Sequence, residues 1–258
     1  MNNAIEIKNV SKKFGDMKAV NDLSLNIPKN EVFAVLGPNG AGKTTMINML
    51  ATLSTPSSGI IKIFGHDVVK EPEKIRELIG LTGQYASVDE ALSAKQNLVI
   101  FSELLGLSIK EAKIRANELL KEFHLEDVAD KVISNFSGGM RRRLDLAVSL
   151  IARPELIFLD EPTTGLDPRT RNQMWSTIRD LVKNGSTILL TTQYLEEADQ
   201  LADRIAIMDK GKIAVEGTPE NLKKEHNSKS LDEIFLKITG DGSTGEKNDD
   251  ELNITKEA

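Results

Sequence analysis

Gly37, Pro38, Asn39, Gly40, Ala41, Gly42, Lys43 and Thr44 have the spacing of a loop that folds around a polyphosphate. Glycine at these positions lets successive backbone N–H groups turn inward, where a Cβ would obstruct the approach. Lys43 would bridge the β and γ phosphates, and the Thr44 hydroxyl would bind Mg2+. Met46, Ile47, Leu50 and Leu53 give the next segment an apolar face. The loop should therefore open a helix whose positive N-terminal end faces the phosphates.

Two further constellations carry chemistry. Leu156, Ile157, Phe158 and Leu159 form an apolar run that delivers Asp160 and Glu161 to the C-terminal end of a buried strand, the end at which open parallel sheets bind ligands. Consecutive strand residues point opposite ways, so the two acids should divide the work: Asp160 suits the Mg2+ shell and Glu161 the polarisation of water. The stretch Asn135, Phe136, Ser137, Gly138, Gly139 and Met140 then precedes a helical run over residues 141–152. A capping hydroxyl on Ser137, unobstructed N–H groups at Gly138 and Gly139 and a helix N-terminus make a second anion site.

Elements must exist to position these groups. Alternation over residues 5–10 and 23–27 predicts two half-exposed strands in an antiparallel layer near the N-terminus. Residues 32–36 are apolar on both faces, as are residues 157–159, 187–191 and 205–208, which predicts central strands covered from both sides. Helical patterns between them point to an α/β fold with a mostly parallel sheet. Ser93 with Gln96 and Ser108 with Glu111 have capping-box spacing, and no strand pattern interrupts residues 88–135, so an α-helical subdomain is expected there. Asp167 before Pro168 opens a later helix that Asn184 and Gly185 close. Ser230 and Glu233 open a last one through Leu231, Ile234, Phe235 and Ile238, within a helical extension over residues 219–240. Residues 241–258 are polar and expected to form a loose tail.

The Ser137-Gly138-Gly139 helix start, some twenty residues before the Asp160-Glu161 strand, resembles the signature motif of ABC-type ATPases, with Phe136 and Met140 in place of the commoner Leu and Gln. The likeness covers about residues 4–218. It implies a P-loop NTPase with a RecA-like core over residues 1–240, hydrolysing ATP with Mg2+. It implies also that two copies pair head to tail, so that Ser137 and Gly139 of one complete the site built on Lys43 of the other. An integral membrane permease subunit would be the second partner, holding the chain at the cytoplasmic face of the membrane.

The same resemblance extends to single positions. Phe14 matches the aromatic residue that stacks on adenine, although a packing role is as open for it. Gln84 matches the glutamine that reaches Mg2+ and the attacking water and links to the membrane partner. Gly165, Leu166 and Asp167 match the loop by which protomers sense each other, and Thr45 closes the nucleotide-binding set. Where the family usually carries a histidine on the γ phosphate, this chain reads Thr191, Thr192, Gln193, Tyr194, and its histidines are His66, His124 and His226. A glutamine amide donates to phosphate but takes no proton near neutral pH. Glutamine here is similar to the drug-resistance subgroup typified by daunorubicin exporters, whose other traits recur at residues 80–85, 141–147 and 231–240.

Composition bounds the alternatives. Lys and Arg total 33 against 39 Asp and Glu, a net charge of −6, which repels a nucleic-acid backbone and disfavours nucleic acid as a partner. With no cysteine there is no disulfide or thiolate metal site. No stretch approaches the roughly 20 apolar residues needed to cross a bilayer, and the first residues lack a secretory pattern, so a cytosolic setting is expected and another polypeptide would supply any membrane path. The arginines Arg141, Arg142 and Arg143 read as a solvated or interface face, Trp175 as packing, and His124 as a helix-terminal residue. A soluble clamp acting on ribosomes or DNA, and an ATP-binding regulator without turnover, are the rival readings.

Overall fold

Alternating apolar residues build the first layer. In the computed structural model, which describes residues 3–82 and 88–240, β1 (Asn3–Phe14) and β2 (Met17–Pro28) form an antiparallel hairpin. Ile5, Ile7 and Val10 are buried on β1, and Leu23, Leu25 and Ile27 on β2. β3 (Val32–Leu36) leaves this layer and runs into α1 (Lys43–Leu50), after which β4 (Ser58–Ile63) and β5 (His66–Asp67) return to it. The antiparallel sheet has the order β2-β1-β4-β5.

The chain then passes through α2 (Pro72–Leu78) and β6 (Ile79–Thr82) into the helical stretch α3 (Ala94–Leu104), α4 (Ile109–Glu122) and α5 (Gly138–Ser149). Both expected capping boxes are made, with Ser93 and Ser108 each accepting from the backbone N–H three residues on. Among the described residues of 88–135 the only β pairing is an isolated bridge between Ser93 and Val132. β7 (Leu156–Asp160), α6 (Pro168–Lys183), β8 (Thr187–Thr192), α7 (Leu195–Leu201), β9 (Arg204–Asp209), β10 (Lys212–Gly217), α8 (Pro219–Glu225) and α9 (Leu231–Thr239) complete the fold. No described helix is long and apolar enough to cross a membrane.

The second sheet has the order β10-β9-β3-β8-β7-β6, parallel except for β10. Its strands bury alternate residues in two different cores. Phe33, Val35, Phe158, Leu189 and Met208 face α1 and the antiparallel sheet, whereas Ala34, Leu36, Ile157, Leu190 and Ile207 face the helices. Each fully buried large side chain contributes about 1.5–3 kcal/mol, so both faces of every central strand stabilise the sheet. Helix α1 is thus held between two sheets.

One sequence expectation fails. Leu53 is not on the apolar face of α1, which ends at Leu50, and it is 66% exposed. Thr52 turns into the left-handed region at φ 61, and the N–H groups of Leu53 and Ser54 both return to the Asn48 carbonyl. The helix is closed by that turn before Leu53 can reach the core.

Glu31 precedes β3, 4.0 Å from Arg204. Burial raises its pKa from 4.5 to about 7; Arg204 lowers it, while Asp203 and Glu216 raise it. The folded chain then holds a proton that the unfolded chain releases from about 4.5 upward, so this contribution is whole below 4.5 and is lost as pH rises to 7. Glu31→Gln, neutral throughout, should gain stability relative to the unaltered chain between pH 5 and 8. Urea unfolding at both pH values checks this; a difference that does not grow with pH contradicts it.

Candidate functional site

Adjacent parallel strands bring the motifs to one edge. Leu36 pairs with Thr192, Asp160 with Thr191, and Thr82 with Leu159. The loop starting at Gly37, the turn at Gln193 and the Asp160-Glu161 pair therefore leave from neighbouring strand ends, the ligand-binding end of such a sheet. Gln84 follows β6 in sequence and lies outside the described residues.

Backbone packing requires glycine in the loop. A Cβ on Gly37 would collide with the Met208 carbonyl, and one on Gly42, at φ 105, with the Ala19 carbonyl. The Ala41 carbonyl accepts from the N–H of Gly211 at 2.9 Å, so the β9–β10 turn braces the loop from behind. Pro38 is half-buried, while Asn39, Gly40 and Thr44 are exposed and Thr45 half-buried. At the start of α1 no side chain caps the helix and the first turn carries no acid. Its free N–H groups and positive end suit a polyphosphate.

Lys43 is 7% exposed, and its Nζ donates to the carbonyls of Gly37 (2.6 Å) and Pro38 (3.1 Å). Burial pulls its pKa below that of an ordinary lysine, against the charges of Glu161 and Asp160, which raise it. The ammonium and both carboxylates thus share one local field.

The two acids do part ways. Asp160 is buried at the end of β7, and its Oδ1 accepts from the Thr191 hydroxyl. Glu161 turns out of the strand at φ 49, its N–H bonded to the Thr191 carbonyl (2.9 Å) and its Oε2 accepting from the Thr164 hydroxyl (3.2 Å). A left-handed backbone at a residue other than glycine is strained and is kept where the surroundings impose it. No group of three or more His, Cys, Asp or Glu able to hold a metal occurs among the described residues. The donor chemistry nevertheless fits Mg2+, which takes one or two protein oxygens beside phosphate and water; Asp160 and Thr44 would be the residues to hold it.

Arg142 corrects the reading of the arginine run as a solvated face. Its guanidinium donates to the carbonyls of Asp160 (2.7 Å), Glu161 (3.2 Å) and Pro162 (3.0 Å). Burial lowers its pKa, opposed by Asp145, Asp160, Glu197 and Glu161. Arg143 donates to the Phe123 and His124 carbonyls, and Arg141 pairs with Glu90 at 2.6 Å. A signal was available: Arg142 and the buried Leu146 are four apart on α5, hence on one face. Thr191 was missed as a partner of Asp160 because it depends on the register of two strands distant in sequence.

The expected helix start at Ser137 is present. Ser137 caps α5, accepting from the Met140 N–H at 3.3 Å, and Ser137 and Gly138 are exposed. A Cβ on Gly139 would overlap the Thr170 methyl group. Thr170 in turn donates to Asp167 Oδ2 at 2.6 Å, and that bond heads the causes that hold the Asp167 carboxyl below the usual range. Among the described residues no hydrogen bond or ion pair joins residues 137–139 to residues 37–45. Phe14 is 52% exposed at the tip of the β1–β2 hairpin with the Lys12 ammonium 5.1 Å from its ring centroid, so it does not pack in the core. Gln193 is exposed.

Comparison with known proteins agrees with this geometry. The profile of the ABC transporter family matches residues 20–164. The daunorubicin/doxorubicin resistance ATP-binding protein DrrA of Streptomyces peucetius is 54% identical over 228 residues, 88% of this chain and 69% of that protein. The Nod factor export ATP-binding protein I of Rhizobium sp. (strain N33) is 40% identical over 232 residues, 90% of this chain and 76% of the other. Among solved structures, a dimeric post-hydrolysis state of the ATP-binding cassette MJ0796 bound to ADP and Pi superposes with a TM-score of 0.75 at 29% identity, covering 83% of this chain and 98% of that one.

The contact between Gly139 and Thr170 is open to a direct test. Gly139→Ala should lower stability by about 1–3 kcal/mol through overpacking and depress ATP hydrolysis. Adding Thr170→Ser, which removes the methyl group but keeps the hydroxyl on Asp167, should recover most of both losses. Thermal unfolding and phosphate release on the single and double variants check the expectation.

Proposed function

Because the chain belongs to the ABC transporter family, as an ATP-binding subunit, we propose that two copies close head to tail over two molecules of Mg-ATP and drive export through a separate membrane-spanning subunit. The observation that carries this reading is the presence of two helix starts suited to anions, at α1 and α5, with no hydrogen bond or ion pair between them among the described residues. Each is half of a site. The dimeric cassette bound to ADP and Pi supports the pairing, and relatives named for daunorubicin/doxorubicin resistance and Nod factor export support the outward direction.

Bound Mg-ATP supplies the γ phosphate and a divalent charge to neutralise it. Lys43 and the N–H groups at the start of α1 bind and neutralise the phosphates, and Thr44 and Asp160 hold the metal. Glu161 orients and polarises the attacking water. Gln193 donates its amide to the γ phosphate, and Gln84 takes the part of the family's glutamine at Mg2+ and the attacking water. Phe14 offers its ring to the base. Ser137 and the N–H groups of Gly138 and Gly139 from the second copy close the far side, with Asp167 at the contact between protomers. Little covalent chemistry falls to the protein, so positioning and charge carry the rate. The chain would work at the cytoplasmic face of the membrane, held there by its partner.

Glu161→Gln should bind Mg-ATP, accumulate as a dimer in sedimentation, and lose hydrolysis by about 100-fold or more. A variant that stays monomeric in Mg-ATP, even with its membrane companion, contradicts the sandwich. At position 193 a donor is required, so Gln193→Glu should reduce kcat far more than Gln193→His. Equal rates for those two would remove the donor role.

A further inference from the structure

Glu197 has no exposed surface, although it carries a carboxyl group. Its Oε1 accepts from the Thr163 hydroxyl at 2.7 Å and from the Trp175 indole N–H at 3.1 Å. Its Oε2 is buried without a hydrogen-bond partner among the described residues. Burying a carboxyl group that is only half satisfied costs more than burying an apolar side chain of the same volume. Packing alone therefore does not account for an acid at this place.

What meets at Glu197 is informative. Thr163 lies in the loop between Glu161 and Asp167, Trp175 lies on α6, and Glu197 itself lies on α7, four residues after Gln193. The Arg142 guanidinium, which holds the carbonyls of Asp160, Glu161 and Pro162, is close enough to feel the Glu197 charge. Helix α7 is fastened along α6 at further points. Arg171 sits 5.6 Å from the Tyr194 ring and 3.6 Å from Glu196, and Arg179 donates to the Gln200 carbonyl. A short helix is fastened to α6 in this way, and the Thr163 hydroxyl joins it to the 161–167 loop through a buried hydrogen bond.

We propose that Glu197 is a positioning residue that ties the helix following Gln193 to the loop bearing Glu161 and Asp167, so that contact with the γ phosphate sets that loop for hydrolysis. The proposal rests on the ATPase reading above and adds to it a path from the phosphate to the water-activating acid. Glu197 is fully buried and acts through Thr163.

The test uses the full chain, with Trp175, its sole tryptophan, as reporter. Thr163→Val keeps the volume of the side chain and the indole bond but cuts the tie. It should lower kcat about tenfold or more, within the roughly 100-fold that misplacement of reacting groups can cost, with KM for ATP little changed. The emission of Trp175 in the absence of nucleotide should match that of the unaltered chain, while the change on adding Mg-ATP is lost. Glu197→Leu should fall with Thr163→Val, and Glu197→Gln, which keeps one oxygen to accept from both donors, should recover most of the lost rate. Thr163→Val with unaltered kcat and an unaltered emission response overturns the positioning role alone. An unaltered chain inert to Mg-ATP in both phosphate release and emission overturns the ATPase reading and the positioning role with it.

Discussion

A buried ammonium facing two carboxylates sets the terms for the rest of this structure. Lys43 is almost fully covered, its Nζ held by two carbonyls of its own loop, and burial works against its charge. Glu161 and Asp160, at the end of a strand two places away in the sheet, offset part of that cost. That arrangement needs β3 and β7 to be parallel, in fixed register and buried on both faces, with β8 between them supplying Thr191 to Asp160. The two cores exist to hold those strands. The site is therefore a consequence of sheet register, and an error of one residue in β8 would separate Thr191 from Asp160.

The same economy explains why several side chains that look peripheral are internal. Arg142 uses one guanidinium to hold three successive carbonyls of the chain leaving β7, groups that a strained left-handed Glu161 removes from regular pairing. Since Arg142 belongs to the helix that Ser137 caps, the start of α5 is tied directly to the backbone of Asp160 and Glu161. Gly139 reinforces this from the other side, because it admits Thr170 and with it the Asp167 turn. A ligand meeting the start of α5 thus meets the 161–167 loop through two short paths.

Much of this was legible from residue types. The phosphate loop, the buried strands, the capping boxes at Ser93 and Ser108 and the Asp167 cap all express local physics, and local physics is what a sequence displays. The misses share a cause. Leu53 fits the helical period, but Thr52 leaves the helix for a left-handed turn that periodicity does not reveal. Arg142 and Glu197 are charged residues whose partners lie 18 to 34 residues away, so their burial depends on tertiary contacts that charge patterning assigns to solvent by default. Phe14, left open between packing and stacking, lies at an exposed hairpin tip and not in the core, which also depends on how the hairpin sits in the fold.

Charge also bears on why the proposed sandwich should close only on nucleotide. The described site offers one ammonium against two carboxylates, and a glutamine at position 193 would add a hydrogen-bond donor but no titrating charge near neutral pH. A polyphosphate adds several negative charges to that balance. Mg2+ would offset some of them, and the remainder calls for a further positive source, which in the proposed pairing the capped start of α5 on a second copy would provide as backbone N–H groups and a helix dipole. Without the γ phosphate those N–H groups have no charge to meet, and the two copies have correspondingly less reason to remain closed. In the proposed sandwich, loss of one phosphoryl group would be enough to shift the equilibrium between closed and open pairs, because the bond between protomers would run through the group that is lost.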